Sequence, residues 1–261
     1  MHTIKNYVMA QSVEQAWELN QKGRNNVIIG GNMWLKMGKR NIVNAIDLSV
    51  LGLDQIEEDD KGFRIGCMVS LHQIETHEQL NRTFGGIFEE AVAHIVGVQF
   101  RNCATVGGSI FPRFGFSDVL TAFLACDTDV ILHKGGVIPL RRFVTMVPDS
   151  DILTHLYVKK DRRKVAYESF RMTETDFPVL TCAVAKKGNE FETVIGARPK
   201  HAEAVTGISL SQPSSSEERH YYAQKVVKNL EYGSNIRGSA QYREELSKVL
   251  ICRCLSRITE E

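Results

Sequence analysis

Two glycine pairs, far apart in the chain, are the features of this sequence best suited to binding a ligand. Gly30-Gly31 follows an apolar run, Val27-Ile28-Ile29, that predicts a buried strand. Gly107-Gly108 lies in the segment Ala104–Ser109, ahead of the strand-like pair Ile110-Phe111. Paired glycines let a ligand approach the backbone, and successive N–H groups in such turns bind anions. Two such turns suit a ligand with two phosphates and long extensions, for which a dinucleotide is the natural candidate.

The familiar nucleotide motifs do not account for these glycines, and either pair alone could be a simple turn. A Walker loop ends in Gly-Lys-Ser/Thr, whereas Gly38-Lys39 is followed by Arg40. No Gly-x-Gly-x-x-Gly opens a helix after a strand, so a Rossmann site has no support. We therefore expect the ligand to bind on another scaffold.

Composition and charge exclude several other classes of function. The chain has 261 residues, with 32 Lys and Arg against 31 Asp and Glu and a formal net charge of +1. No basic stripe with interleaved aromatics supports nucleic-acid binding, and no apolar run approaches the ~20 residues of a membrane span. The N-terminus lacks the apolar core of a signal peptide, so we expect a cytoplasmic protein.

The six cysteines include no C-x-x-C pair, so no zinc or iron–sulfur ligands are predicted. Most are expected to be small buried residues, with a redox role for Cys103 as the less favoured alternative.

Helix and strand signals alternate along the chain. Ser12 with Gln15 forms a capping-box pattern, and Ser70 and Ser117 are predicted helix N-caps. A charged turn at 159–164 precedes a C-terminal region. Strands are predicted at 27–29, 42–48, 63–67, 130–133, 137–140, 165–171, 180–185 and 192–197, and helices after Ser12, Ser70 and Ser117 and at 87–95, 217–230 and 239–258.

Four segments, in the same order, resemble one protein family. Val27–Asn32 is similar to its first flavin loop, and Gln99–Ser109 to its second. Ser117-Asp118-Val119-Leu120 stands where the family has Ser-Asp-Leu, and Gly238–Arg243 resembles the Ser-Ala-x-Tyr-Arg opening of its last helix. The family is that of the FAD-binding medium subunits, or domains, of molybdenum hydroxylases related to xanthine dehydrogenase and carbon monoxide dehydrogenase.

The resemblance implies an α+β fold with two parts. The first is a two-lobed FAD-binding domain of the vanillyl-alcohol-oxidase-like (PCMH) type, expected at residues 1–160 with lobes at about 1–52 and 53–160. The second, at 161–261, is a smaller α+β domain with a three-stranded antiparallel sheet and helices.

The resemblance also implies which residues bind FAD. Backbone donors for the pyrophosphate are expected at Gly30, Gly31 and Asn32 and in the turn from Thr105 to Gly108, where glycine turns suit fixed anionic charge. Thr105 and Ser109 add hydroxyl donors. The full predicted set is Val27, Ile28, Ile29, Gly30, Gly31, Asn32, Met33, Trp34, Ile95, Ala104, Thr105, Gly107, Gly108, Ser109, Ser117, Asp118, Leu153 and Arg171.

Three of these positions have equally simple structural readings. The family places Asp118 at the nucleoside end of FAD, but an acid in a first helical turn also stabilises the helix dipole. Arg171 falls where relatives carry Lys or Arg near the flavin ring, although a strand-end arginine is often merely solvated. Leu153 matches a position beside the flavin, yet an apolar strand residue is usually core.

The chain departs from the family pattern at several positions. Asn32 and Met33 stand where a Thr and an acidic residue are usual, and Ser109 replaces an Asn. Ile95 occupies the position of an aromatic residue that stacks on the flavin in some relatives, which puts NAD as acceptor in doubt.

The implied function is an electron-transfer flavoprotein subunit with non-covalent FAD, since no histidine lies in either flavin loop. No catalytic residue is predicted, because the cofactor carries the redox chemistry. Molybdopterin and iron–sulfur clusters are expected on partner subunits, a large one and an iron–sulfur one, with a small-molecule acceptor for which NAD is one candidate. Two alternatives stay open: a stand-alone flavin reductase or oxidase, and a non-catalytic assembly subunit with a degenerate flavin site.

Overall fold

The structure of the protein, a computed structural model, describes residues 3–209 and 215–259. The chain divides into two compact units that each combine separate stretches. The first unit comprises Met1–Gln73, Val98–Pro112 and Thr128–Val158, and the second comprises Ile74–Gly97, Arg113–Asp127 and Lys159–Glu261. Within the described residues, no helix is both long and apolar enough to cross a bilayer.

The first unit begins with a small parallel sheet. Its strands are β1 (Thr3–Met9), β2 (Asn26–Ile29) and β3 (Asn41–Asp47), in the order β1-β3-β2, with helix α1 (Val13–Gln21) between β1 and β2. Ser12 caps α1 as predicted, its Oγ accepting from the Gln15 N–H at 3.1 Å. Strand β1 was not predicted, because almost all of its residues are exposed and the period-2 pattern of a half-buried strand is missing.

A ladder of three asparagines crosses this sheet. Asn44 pairs in register with Asn6 on one side and with Asn26 on the other. The Asn6 amide donates to Asn44 Oδ1 at 3.1 Å, and the Asn44 amide donates to Asn26 Oδ1 at 2.8 Å. The amides therefore link all three strands at one level of the sheet.

A five-stranded sheet forms the rest of the first unit. It contains β4 (Ile56–Glu58), β5 (Gly62–Gly66), β6 (Thr128–Leu132), β7 (Gly136–Pro139) and β8 (Leu153–Lys159), in the order β4-β5-β8-β6-β7. The two strands predicted at 130–133 and 137–140, which the Gly135-Gly136 turn was expected to join as a hairpin, form β6 and β7 and pair antiparallel. Besides α1, the helices of this unit are α5 (Val98–Cys103), α6 (Val106–Ile110), α8 (Leu140–Thr145) and the first half of α2 (Leu71–Thr76), whose residues from Ile74 onward belong to the second unit.

The second unit packs helices against an antiparallel sheet. The strands are β9 (Lys164–Arg171), β10 (Pro178–Lys187), β11 (Glu190–Gly196) and β12 (Glu203–Val205), in the order β12-β11-β10-β9. The helices are α3 (Glu78–Thr83), α4 (Ile87–Ala93), α7 (Asp118–Ala125), α9 (Ser216–Val227) and α10 (Ala240–Thr259). The α+β class is confirmed, but this sheet has four strands rather than three, because the three-residue β12 is too short to show a sequence pattern. The predicted boundary at residue 160 stays a prediction.

The family-like segment at the start of α10 has a structural role in this unit. Arg243 is fully buried, with no exposed surface. Its guanidinium donates to the carbonyls of Val179 at 2.9 Å and Gly233 at 2.8 Å, and to Asn235 Oδ1 at 2.6 Å. A buried cation is tolerated when its donors are satisfied, so Arg243 ties the preceding loop to the start of β10.

Candidate FAD site

The first glycine segment is a loop with unused backbone donors. It begins where β2 ends at Ile29 and leads into a short 3₁₀ turn, Leu35–Met37. Among the residues that the structure describes, the backbone N–H groups of Gly30, Gly31, Asn32 and Met33 have no acceptor. Four successive unsatisfied donors form the kind of backbone array that binds a fixed anion.

Asn32 is the most unusual residue of this loop. Its φ is +62°, in the left-handed region that asparagine tolerates better than most residues. Its Oδ1 is buried and has no hydrogen-bond partner in the described part of the chain. A buried polar atom is rarely left unpaired. In this position the side-chain oxygen can accept from a ligand hydroxyl, and the flipped amide can donate to a phosphate.

The second glycine segment differs from the sequence expectation. Residues 106–110 are not a turn before a strand but the short helix α6. Thr105 has an extended backbone, with φ −107° and ψ 154°, and its Oγ1 accepts from the Gly108 N–H at 3.1 Å. This N-cap starts a helix at Val106, which the Gly-Gly pair alone did not indicate.

The donors of this second segment already have protein acceptors. The N–H groups of Val106 and Gly107 donate to Val69 and Cys67 carbonyls, each at 2.8 Å, and the Ser109 N–H donates to the Thr105 carbonyl at 3.1 Å. Together with the Gly108 bond, four of the five N–H groups from 105 to 109 are used. Gly107 and Gly108 are therefore not the free pyrophosphate donors that the resemblance implied.

The two segments lie directly against each other in the first unit. A methyl group built on Gly31 would lie 1.4 Å from the Cys103 carbonyl oxygen, and one on Gly30 would lie 2.6 Å from Thr105 Oγ1. A methyl group on Gly107 would lie 2.7 Å from the Cys67 backbone. By contrast, one on exposed Gly108 would meet only Thr105 Oγ1, at 3.0 Å. Three of these glycines thus allow close packing of the protein, and Gly108 leaves an open surface beside the loop.

The other predicted residues of this unit differ in how deeply they are buried. Ile29, Ala104 and Leu153 are buried, and Leu153 lies at the start of β8. Trp34 is half-buried, with its ring edge-on to Phe100 at a centroid distance of 6.3 Å. The half-buried members of the predicted set in this unit are Val27, Ile28, Gly30, Gly31, Asn32, Met33, Trp34 and Ser109.

The second unit contains the remaining predicted residues. Ser117 caps α7 as expected, its Oγ accepting from the Leu120 N–H at 3.0 Å. Asp118, the first residue of α7, is 4% exposed and receives the Arg171 guanidinium at 2.7 Å. Ile95 is half-buried just beyond α4, and its N–H donates to the Val92 carbonyl at 2.8 Å.

The Asp118–Arg171 pair corrects one expectation. The resemblance placed Asp118 at the nucleoside end of FAD and Arg171 near the flavin ring. Atoms of the two side chains are 2.7 Å apart, so they cannot serve opposite ends of one extended FAD molecule. Nor is Arg171 a solvated strand-end residue, because its side chain is only 6% exposed. The two positions act as a single ionic site.

The electrostatics of this pair depend on burial. Burial raises the pKa of Asp118 to about 6, against the opposing effects of the Arg171 charge and a Tyr167 hydrogen bond. Arg171 Nε and Nη1 are buried with no acceptor among the described residues. The guanidinium therefore retains donor capacity that the protein does not use.

Tyr167 is a residue of this cluster that sequence reasoning missed. Its hydroxyl donates to Asp118 Oδ1 at 2.6 Å, the same oxygen that Arg171 contacts. Residues 167 and 171 lie four apart on β9 and so share one face of the strand. That spacing was the available signal, but nothing in the sequence indicated that α7 lies opposite.

Comparison with known proteins places this geometry in context. Residues 2–159 match a family described as the FAD binding domain in molybdopterin dehydrogenase. The chain is 24% identical to the glyceraldehyde dehydrogenase medium chain of Sulfolobus acidocaldarius, covering 97% of both chains. It is also 24% identical to the uncharacterized protein YgfM of Escherichia coli K12, covering 95% of this chain and 94% of that one. A chain of quinoline 2-oxidoreductase from Pseudomonas putida 86 has the same fold, with a TM-score of 0.86 at 16% identity, over 98% of this chain and 96% of the other.

Proposed function

This chain belongs to the family of FAD-binding domains of molybdopterin dehydrogenases, and from this we propose its function. It is the FAD-binding electron-transfer subunit of a molybdenum hydroxylase complex, an oxidoreductase component whose relatives are medium chains of such complexes. FAD, when bound, supplies the redox chemistry that connects iron–sulfur clusters to a terminal acceptor. The observation that carries the proposal is the row of four unused N–H donors at Gly30–Met33.

The residues of the first unit hold the cofactor in this proposal. The N–H groups from Gly30 to Met33 bind the pyrophosphate, and the Asn32 amide adds a polar contact. Thr105 and Ser109 contribute hydroxyl groups, while Gly107 lets α6 lie close to the backbone of Cys67. Exposed Gly108 gives the cofactor access to this surface. Water is excluded from this surface, in the proposal, by the apolar residues Val27, Ile28, Ile29, Trp34, Ala104 and Leu153.

The second unit holds a separate ionic site. The Asp118–Arg171 pair is buried there, and Arg171 Nε and Nη1 have no acceptor among the described residues. Ser117 caps α7 and so holds Asp118 at its start. Contact of Ser117, Asp118, Arg171 and Ile95 with FAD stays a prediction of the resemblance.

The proposed partners are the subunits of the complex that carry the iron–sulfur clusters and the molybdopterin. We propose an iron–sulfur subunit as electron donor and a large molybdopterin subunit as the site of hydroxylation. The terminal acceptor is proposed to be a small molecule, with NAD as one candidate. The complex is proposed to work in the cytoplasm.

Substitution of Gly108 tests the site. In Gly108→Val the added Cβ would meet, outside α6, only Thr105 Oγ1 at 3.0 Å, and the rest of the side chain would occupy the exposed surface, so we expect FAD affinity to fall at least ~10-fold, about 1.4 kcal/mol, while the fold is retained. The measurements are flavin absorbance of the purified chain and a fluorescence titration with FAD. The matched control is Gly23→Val, since a methyl group there would meet nothing within 4 Å.

Three outcomes would overturn parts of the proposal. Full flavin content in Gly108→Val would show that FAD does not use this surface. A wild-type chain without flavin absorbance after FAD is supplied would favour the degenerate assembly subunit. The FAD-loaded chain should be reduced by dithionite. It should not turn over purines, aldehydes or nicotinate. Hydroxylation of any of these substrates by the chain alone would contradict the subunit assignment.

A further inference from the structure

Strand β1 of the first unit is a long outer strand with an open edge. It lies at the end of its sheet and, among the strands that the structure describes, pairs with β3 alone. Six of its seven residues are exposed, including Ile4, Tyr7 and Met9. The other outer strands of the described sheets have three or four residues, or are covered, as in β9, where only Lys164 is exposed. A long, exposed and partly apolar edge is a template for a further strand.

The backbone of β1 carries unpaired donors along this edge. The Ala10 N–H, just beyond the strand, donates to the Asp47 carbonyl of β3 at 3.0 Å. The register between the two strands is regular, and N–H groups of a strand alternate between its two sides. The N–H groups of Lys5, Tyr7 and Met9 therefore face away from β3. Among the described residues they have no acceptor.

The asparagine ladder gives this edge a polarity. At its inner end, the Asn26 amide donates to the Leu19 carbonyl at 2.6 Å, and a carbonyl can only accept. Asn26 must therefore turn Oδ1 toward the Asn44 amide, and Asn44 must turn Oδ1 toward the Asn6 amide. The backbone thus fixes which amide atom is which. Asn6 Oδ1 is left at the open end, as an acceptor without a donor in the described chain.

This polarity disfavours a second copy of the chain paired with β1 about a two-fold axis. Opposite residues of an antiparallel pair turn their N–H groups the same way, so symmetry within β1 places Ile4, Asn6 or Val8 opposite Asn6. Ile4 and Val8 have no side-chain donor, and Asn6 would set one acceptor against another. A different polypeptide can bring an amide or hydroxyl donor to this level.

We propose that β1 is the docking edge for an extended segment of another polypeptide, which adds a fourth strand to this sheet. The segment carries an amide or hydroxyl side chain at the level of Asn6, between apolar side chains that lie opposite Ile4 and Val8. Main-chain hydrogen bonds along the edge supply affinity, and Asn6 sets the register. That this polypeptide is a subunit of the same complex rests on the proposed function, whereas the open edge does not.

The first test blocks the outward backbone. Lys5→Pro removes an outward N–H and keeps the bonds to β3, because an edge strand tolerates proline where its N–H faces solvent. Lys5→Ala is the matched control, since it loses the same side chain but keeps the N–H. Each chain is titrated with the iron–sulfur and molybdopterin subunits of the proposed complex by calorimetry. We expect affinity to fall at least ~10-fold in Lys5→Pro and less than about twofold in Lys5→Ala. Equal affinities in the two variants would overturn the proposal.

The second test removes the open acceptor of the ladder. Asn6→Val keeps a residue that favours strands, but it leaves the donor of the incoming segment without a partner. We expect affinity for the same subunits to fall about fivefold, with Thr3→Val as the control at an exposed position of β1 outside the ladder. Urea denaturation of both variants checks that the fold is kept. Unchanged affinity in Asn6→Val would show that the ladder does not set the register.

Hydrogen exchange of the wild-type chain tests the edge without any substitution. In the free chain the amides of Asn6 and Val8, which face β3, should be protected, while those of Lys5, Tyr7 and Met9 should exchange rapidly. In the assembled complex the three outward amides should exchange at least ~10-fold more slowly. The measurement is mass spectrometry with fragmentation to single residues. Rapid exchange of the outward amides in the complex would overturn the proposal.

The remaining outcomes separate the edge from the proposed function. A wild-type dimer and a Lys5→Pro monomer in analytical ultracentrifugation would show that a second copy occupies β1, against the proposal. If the wild type binds neither subunit, the proposed function fails, and a short peptide with the core Val-Thr-Asn-Thr-Val then tests the edge. Its titration should shift the NMR signals of the Tyr7 and Met9 amides in the wild type and not in Lys5→Pro. No shift in the wild type would overturn the docking edge.

Discussion

The two glycine segments look alike in sequence but differ in what their backbones do. At Gly30–Met33 the N–H groups have no acceptor in the described chain, whereas at Val106–Ser109 every N–H has one. The first segment is a loop after a strand, and the second is the start of a capped helix. A glycine pair therefore does not by itself identify an anion site.

The difference arises from the residues just before each pair, since Thr105 lies two positions before Gly107, whereas apolar Ile28 and Ile29 precede Gly30. Thr105 supplies a side-chain acceptor that closes the first turn of α6. Ile29, an apolar residue at the end of β2, can supply none. The second segment then serves as a surface on which the first rests, and Gly31 lies against the Cys103 carbonyl because it lacks a side chain.

The largest loss of stability is expected in Gly31→Ala, where the two glycine segments meet. In Gly31→Ala the new methyl group would overlap the Cys103 carbonyl oxygen, 1.4 Å away. We expect the free energy of unfolding to fall by about 3 kcal/mol or more, measured by urea denaturation, with Gly23→Ala as control. Stability equal to that of the control would show that the two segments do not pack as described.

A smaller effect, on FAD affinity rather than on stability, is expected in Asn32→Gly. Asn32→Gly keeps a residue suited to the φ of +62° and removes a buried oxygen that has no described partner. We expect the unfolding free energy without FAD to change by less than ~1 kcal/mol, and FAD affinity to fall about tenfold. Arg162→Gly is the matched control, because Arg162 has the same φ of +62° outside the glycine segments. Unaltered affinity in Asn32→Gly would remove Asn32 from the site.

The smallest effect on FAD affinity is expected in Thr105→Val, in the second glycine segment. Thr105→Val removes the N-cap of α6 and leaves the Gly108 N–H without its acceptor. We expect a loss of about 1 kcal/mol of stability and less than about a threefold loss of FAD affinity, with Ser12→Ala as the control cap in α1. A greater loss of affinity than in Asn32→Gly would reverse the ranking of the two segments.

Local signals in the sequence were sufficient for most of the elements. Ser12, Ser70 and Ser117 accept hydrogen bonds from N–H groups three residues ahead, as their N-cap patterns predicted. Strands β2, β3 and β5 follow the predicted apolar patterns to within about a residue at each end. These features depend on residues close together in the chain, which is why one sequence is enough to find them.

The features that were missed depend on contacts between distant residues. Asp118 and Arg171 are 53 residues apart, and their pairing follows from the packing of α7 against β10, the neighbour of β9 in the sheet, rather than from either local pattern. The acceptors for Val106 and Gly107 are the carbonyls of Val69 and Cys67. No composition or periodicity signals that a backbone donor already has a partner, so the difference between the glycine segments needed the fold.

The asparagine ladder determines where the first loop begins. A two-residue slip of β2 along β3 would preserve which side chains face the core, because strand side chains alternate with a period of two. Such a slip would, however, separate Asn26 from Asn44 and leave their amides unmatched. It would also move Gly30 by roughly 6.6 Å, at about 3.3 Å per residue. The asparagine amides thus fix the register of β2 on β3 and with it the position at which the first glycine loop begins.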